Sequence, residues 1–254
     1  MSKNFELMHH LEVEAEPLPK VRARVQVSDP RGNGHKKRSL PLPPLDEVAH
    51  EESLRLVQRI FMLQTLEAPR VVVFAGVARG NGCSWVCSAA ARTLANNVTG
   101  SVCLLDAHLR SPSLAELFRI PNHHGLTDAL REDKPIETYA EQVELENLWL
   151  ISSGSNCEES LSLLNSNRVK ARFADLRSEF DYVLIDAPPL THYADAVTLG
   201  QLSDGLVLIL EANATRREAA AAVAQSLRAS QIRILGAVLN KRTFPIPDLL
   251  YRRV

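Results

Sequence analysis

Residues Val71 to Trp85 read VVVFAGVARGNGCSW. The apolar run VVVF has the character of a buried strand. It leads into a turn holding Gly76, Gly80 and Gly82, and Ser84 opens a segment of helical character. Strand, glycine-rich loop and helix in that order form a phosphate-binding unit, whose pattern is G-x-x-x-x-G-K-[ST]. In that pattern the backbone N–H groups cradle phosphates and the lysine reaches the terminal ones. Gly82 and Ser84 fit it, but Val77 stands at the first glycine position and Cys83 at the lysine.

Working outward, the same kind of apolar strand recurs. Arg70 to Ala75, SVCLLDA ending its apolar part at Asp106, LWLIS (Leu148 to Ser152), YVLIDAP, GLVLILE and ILGAVLN are expected as strands. They are apolar throughout, which marks strands buried on both faces of a parallel sheet. Helical segments alternate with them: one from Glu51 with Leu54, Val57, Phe61 and Leu66 inward and Pro69 closing it, one from Ser84 to about Asn97, and one over Asn167 to Phe180 with Val169, Phe173 and Leu176 inward. Short helices are expected at Ser113 to Phe118 and Leu126 to Leu130, and an alanine-rich helix follows Thr215, its expected N-cap. The fold class predicted is α/β: a three-layer P-loop NTPase type, mostly parallel sheet with helices on both faces.

The chain has 254 residues, 45% of them hydrophobic, and a formal net charge of -1. One large core is affordable at that size, and no charge field points to nucleic acid or to a membrane surface. No stretch approaches the roughly 18 apolar residues that span a bilayer, and the first residues lack the apolar core of a secretory signal. Cys83, Cys87, Cys103 and Cys157 have no disulfide-like spacing, which indicates a reducing, cytoplasmic setting. Residues 1–45 are charged and proline-bearing, with RGNGHKKRSLPLPPLDE at their end, and read as a disordered or loosely docked arm before a domain over 46–254.

Three strand ends carry polar residues that an α/β sheet would bring together. They are the loop Gly76 to Ser84, Asp106 in LLDAHLR and Asp186 in VLIDAPP. Singly, each is more simply a strand or helix cap. Together, Ser84, Asp106 and Asp186 form a candidate magnesium set, with Asp106 and Asp186 as the candidate catalytic carboxylates. Arg79, Gly80, Asn81, Gly82, Cys83, Ser84 and Trp85 form the candidate nucleotide loop. Cys83 and Cys87, four apart, are two thiols where a metal needs about four ligands. A helix N-terminus lowers a thiol's pKa, so Cys83 also carries a weaker redox reading.

These segments resemble the bacterial tyrosine kinases of capsule and exopolysaccharide synthesis, a branch of the MinD/ParA-like P-loop ATPases. The likeness covers about Glu51 to Lys241. It rests on ARGNGCS against A-R-P-G-E-G-K-S, LLDAHLRSP against an apolar run and D-A-D-L-R-x-P, and VLIDAPP against an apolar run and D-T-P-P. ENLWLISSG, DGLVLILEANATRREA and LGAVLNK match further strands in order. The resemblance implies ATP or ADP with Mg2+, an adenine contact at Asn240, and tyrosine autophosphorylation. It also implies a cytoplasmic protein recruited to the inner face of the plasma membrane by the cytoplasmic segment of a polysaccharide chain-length regulator, with a possible homo-oligomer.

The departures fall on functional positions. Cys83 supplies no charge; one charge-assisted hydrogen bond is worth roughly 1.5–3 kcal/mol, about ten- to a hundredfold in affinity. His108 stands for the second aspartate and Ala187 for the threonine of D-T-P-P; the tail has only Tyr251 where the family has a tyrosine cluster. In the family's E-x-x-R-x-x-R assembly pattern Glu52 and Arg55 match, Gln58 does not, and Arg59 is adjacent. The expected function is a catalytically impaired, regulatory member with nucleotide binding weak or lost. The alternatives are an active autokinase, with Arg79 replacing some of the lysine's charge, and a MinD/ParA-type ATPase of another pathway.

Overall fold

The computed structural model describes the backbone of residues 4–7 and residues 47–62, 68–154, 164 and 167–242. Most of the N-terminal arm, Leu66, Cys157 and the tail with Tyr251 lie outside the described residues.

An eight-stranded sheet is at the centre. Its strands are β1 (Asn4–Leu7), β2 (Val71–Gly76), β3 (Val102–Asp106), β4 (Ala140–Gln142), β5 (Leu148–Ile151), β6 (Tyr182–Ala187), β7 (Gly205–Glu211) and β8 (Ile234–Arg242). They lie in the order β1-β8-β7-β2-β6-β3-β5-β4. The inner six are parallel, and the two edge strands, β1 and β4, are antiparallel. All six expected strands are present; the two edge strands are additions. Four residues at the chain start and three at Ala140–Gln142 carry too little apolar pattern to announce a strand.

Alternate side chains of each central strand point to opposite faces, and both faces are covered. Val71, Val73 and Ala75 of β2 join one core with α4 (Leu126–Ala129), α5 (Asn167–Glu179), α6 (Asp195–Leu202) and α7 (Arg217–Ala229). Val72 and Phe74 join the other, with α1 (Glu47–Val57), α2 (Cys83–Asn97) and α3 (Leu114–Leu117). The three-layer expectation stands. α1 continues as a π-helical turn over Gln58–Met62, and its inward face is Ser53, Leu56, Val57, Ile60 and Phe61; Leu54 sits at the margin. The i, i+3, i+4 stripe centred on Leu56 and Ile60 wins because Ser53 hydrogen-bonds Thr93 of α2 at 2.9 Å, which fixes the rotation of α1.

Thr215 does not cap α7. Its hydroxyl accepts the Glu211 N–H at 2.8 Å, and Arg216 holds the N-cap position. The threonine instead ties the end of β7 to the turn that follows. At the other end of the sheet, the Asp204 carboxylate accepts the N–H groups of Arg70 and Val71, both at 2.7 Å, and pairs with Arg177. Burial alone would raise its pKa, but these partners outweigh burial and hold it below the usual carboxylate range. That anchor sets where β2 begins, and so where its loop emerges.

Candidate functional site

The loop leaves β2 at Gly76 and ends at Gly82, the N-cap of α2. Val77 continues the sheet for one more hydrogen bond, to the Ile209 carbonyl at 3.0 Å, and is buried. Its backbone is not in the left-handed region, so no glycine is required there. Gly80 (φ 86°) and Gly82 (φ 81°) are in that region. Left-handed residues at a loop that ends on a helix N-terminus are the conformations from which a phosphate-binding nest is built. A Cβ on Gly82 would lie 2.3 Å from Asn240 Nδ2.

Asn81 holds the loop from within. Its Oδ1 accepts the Ala78 N–H at 2.7 Å, and its Nδ2 donates to Glu211 Oε2 at 3.3 Å. The DAPPLT segment closes over the start of the loop: Leu190 N–H donates to Gly76 O at 2.9 Å, and the Thr191 hydroxyl donates to Val77 O at 2.7 Å. Asn240 is buried, its Nδ2 on Asn81 O at 2.9 Å and its Oδ1 on the Lys241 N–H at 2.9 Å. Its amide is therefore committed to the loop backbone. Lys241 reaches the loop too, with Nζ 2.7 Å from Gly80 O and 3.0 Å from Glu211 Oε1. Glu211, Thr191 and Lys241 were not expected at the site. Their roles depend on contacts across more than a hundred residues, which no local spacing signals.

Asp106 and Asp186 are register partners on adjacent strands, β3 and β6, and both are fully buried. Their surroundings differ. Asp106 accepts N–H groups from His108 (3.2 Å), Ser113 (3.1 Å) and Leu114 (3.0 Å), so its carboxylate caps the start of α3. Burial raises its pKa against the pull of those three donors. Asp186 has no partner at hydrogen-bonding geometry for either oxygen. Burial pushes its carboxyl up to about 7, Asp106 adds to the rise, and the facing Ser84 and Cys83 side chains pull it partway back.

Cys83 is not an activated thiol. Burial pushes its pKa well up, and Asp186 and Cys87 push it further, so the helix N-terminus is outweighed. Cys87 is raised in the same way. Among the described residues no three His, Cys, Asp or Glu side chains converge on a metal position. His108 is held below its usual pKa by burial and by the charges of Arg79 and Arg110. Arg79 is exposed. Arg110 also lies over the Tyr193 ring, 4.6 Å from its centroid, and 3.7 Å from Asp195. Trp85, in the first turn of α2, is partly buried and packs against the core on the α1–α2 side of the sheet.

The donor set fits a magnesium-bound phosphate in one respect and fails it in another. Asp186 offers two buried oxygens without partners beside Ser84, where a hard cation would satisfy them. Position 83 offers no cation. Ser84 and Asp186, with Asp106 as the neighbouring carboxylate, are the residues that would hold Mg2+, which would supply charge neutralisation for phosphate oxygens.

Strand order, loop and helix together give a P-loop NTPase-type fold. No family model matches the chain. In sequence it is similar to bacterial tyrosine-protein kinases: it is 32% identical to the tyrosine-protein kinase YwqD of Bacillus subtilis (strain 168) over 139 residues, 55% of this chain and 59% of that protein. Its fold is that of the kinase domain of the Escherichia coli tyrosine kinase ETK (TM-score 0.75, 21% identity, 84% of this chain and 86% of that one). The septum site-determining protein MinD of Pyrococcus horikoshii OT3, complexed with Mg-ADP, shares it more distantly (TM-score 0.57, 18% identity, 66% and 68%). The chain spans 28% to 61% of the length of the first four curated relatives it matches.

Proposed function

We propose that this chain is a cytoplasmic, tyrosine-kinase-like P-loop protein of capsular or exopolysaccharide biosynthesis that binds Mg-nucleotide weakly and transfers phosphate poorly or not at all. The observation that carries the reading is Cys83. At the position where the loop pattern has its lysine stands a thiol held neutral by burial and by Asp186. Phosphoryl transfer depends on positioning and on positive charge around the transferred group, and that charge is missing where the loop should supply it. His108 in place of an acidic residue and the single tail tyrosine, Tyr251, support the same reading. The domain over 46–254 would act as a binding or regulatory partner for the cytoplasmic segment of a membrane chain-length regulator, with residues 1–45 as its arm. Among the described residues no helix is long and apolar enough to cross a membrane, so recruitment to the membrane would fall to that partner.

An active autokinase is the second reading, favoured by the unpartnered Asp186 carboxylate beside Ser84. Transfer of labelled phosphate from ATP separates the two. The expected result is background labelling, unchanged in Asp106→Ala. Strong labelling of Tyr251 that disappears in Asp106→Ala would establish the autokinase instead.

A further inference from the structure

The loop lacks its own lysine, yet an ammonium stands on it. Lys241 Nζ donates to Gly80 O at 2.7 Å and pairs with Glu211 Oε1 at 3.0 Å. Lys241 has φ 58°, a left-handed conformation that a non-glycine residue adopts at a cost. The preceding Asn240 donates to the next loop carbonyl, Asn81 O, and its Oδ1 accepts the Lys241 N–H. Two successive loop peptides, Gly80–Asn81 and Asn81–Gly82, are therefore gripped on their carbonyl side by the end of β8.

A trans peptide points its N–H opposite to its C=O. Carbonyls held toward β8 therefore turn the Asn81 and Gly82 N–H groups the other way, to the face of the loop where a phosphate group would be cradled. An ammonium on the Gly80 oxygen also polarises that peptide, which makes the Asn81 N–H a stronger donor. Glu211 holds the arrangement from below, pairing with Lys241 and accepting from Asn81 Nδ2. The lysine side chain remains 39% exposed, so its charge is open to the loop's solvent side.

We propose that Lys241 is a positioning residue that brings a cation to the phosphate loop from β8, strengthening its grip on the diphosphate or triphosphate group of a nucleotide in place of the lysine missing at Cys83. The inference rests on the nucleotide-binding reading above. It differs from that reading in naming the residue that keeps affinity from vanishing and the peptide through which it acts.

Calorimetric titration of the full chain tests it, with Mg-ADP, inorganic tripolyphosphate and adenosine as probes. Lys241→Met is expected to weaken ADP and tripolyphosphate binding about tenfold and to leave adenosine binding unchanged. Lys241→Arg is expected to restore most of the loss. Wild-type binding with an unaltered Lys241→Met constant overturns the inference alone. So does a Lys241→Met loss that falls equally on adenosine and is not restored by arginine, because the lysine would then be only structural. A wild-type chain that binds neither ADP nor tripolyphosphate overturns the nucleotide reading, and the inference with it.

Discussion

Cys83 and Asp186 each shift the other's ionisation. The carboxylate makes the thiol harder to ionise, while the thiol and the Ser84 hydroxyl help the carboxylate hold its charge. Replacing Cys83 by lysine would restore a phosphate contact and give Asp186 a counter-charge. Cys83→Lys is expected to tighten Mg-ADP binding by about ten- to a hundredfold, the worth of one charge-assisted hydrogen bond. An unchanged binding isotherm would place the defect in the loop backbone. Asp186 also makes a stability prediction in metal-free buffer. Its pKa rises from an ordinary 3.8 to about 7 on folding, so between those values the folded state binds more protons than the unfolded one. Stability therefore falls as pH rises through about 4 to 7, with the full cost present above 7. Asp186→Asn should melt higher than wild type at pH 8 with EDTA, and the gap should narrow as the pH is lowered and close near pH 4. A gap independent of pH would mean that the carboxylate is ionised at no cost.

The N-terminus of α2 is the element on which the site depends, and its geometry sits in one residue. Gly82 combines φ 81° with an Asn240 amide where a Cβ would go. Gly82→Ala is expected to destabilise the chain by about 1–3 kcal/mol and to abolish ADP binding, read by urea unfolding and calorimetry. Removing the amide as well, in Gly82→Ala with Asn240→Ala, should not restore binding, since the backbone strain and the loss of the Asn81 O contact remain. How far such an element can be read from sequence is plain here. VVVF, the glycine turn and the apolar helix start name strand, loop and helix through local spacing alone, and Asp106 and Asp186 are found because each directly ends an apolar run. The brace around the loop is different: Asn81 to Glu211, Asn240 to Asn81 and Lys241 to Gly80 are tertiary hydrogen bonds between distant segments. A lone asparagine or lysine after a strand has the same sequence appearance whether it grips a loop or meets water. Thr215 shows the converse, since a residue of good capping type was drawn to the Glu211 N–H instead.

At the scale of the whole molecule, the sheet ends are what a family resemblance does not dictate. A parallel sheet must stop somewhere, and an open edge strand invites pairing with another chain. One end closes with β4, three residues that include the exposed Glu141. The other closes with β1, which pairs antiparallel to β8 with Asn4 opposite Arg242, Glu6 opposite Leu239 and Leu7 opposite Val238, and with an irregularity between Asn4 and Glu6. That irregularity falls opposite Asn240 and Lys241, the residues that grip the loop, so the strand covers the edge where the brace is anchored. On the helix carrying the E-x-x-R pattern, Arg55 is paired within its own helix to Glu51 and Glu52 at 2.5 and 2.6 Å. Exposed pairs of this kind are worth at most about 1 kcal/mol, so they add little to the stability of the helix. Removing residues 1–7 is therefore expected to lower the melting temperature and to produce concentration-dependent association through the bared β8 edge, followed by light scattering across a dilution series. The same truncation should weaken ADP binding if β1 steadies the Asn240–Lys241 turn. A truncated chain that stays monomeric, melts as wild type and binds ADP unchanged would show that β8 holds the brace without its edge partner.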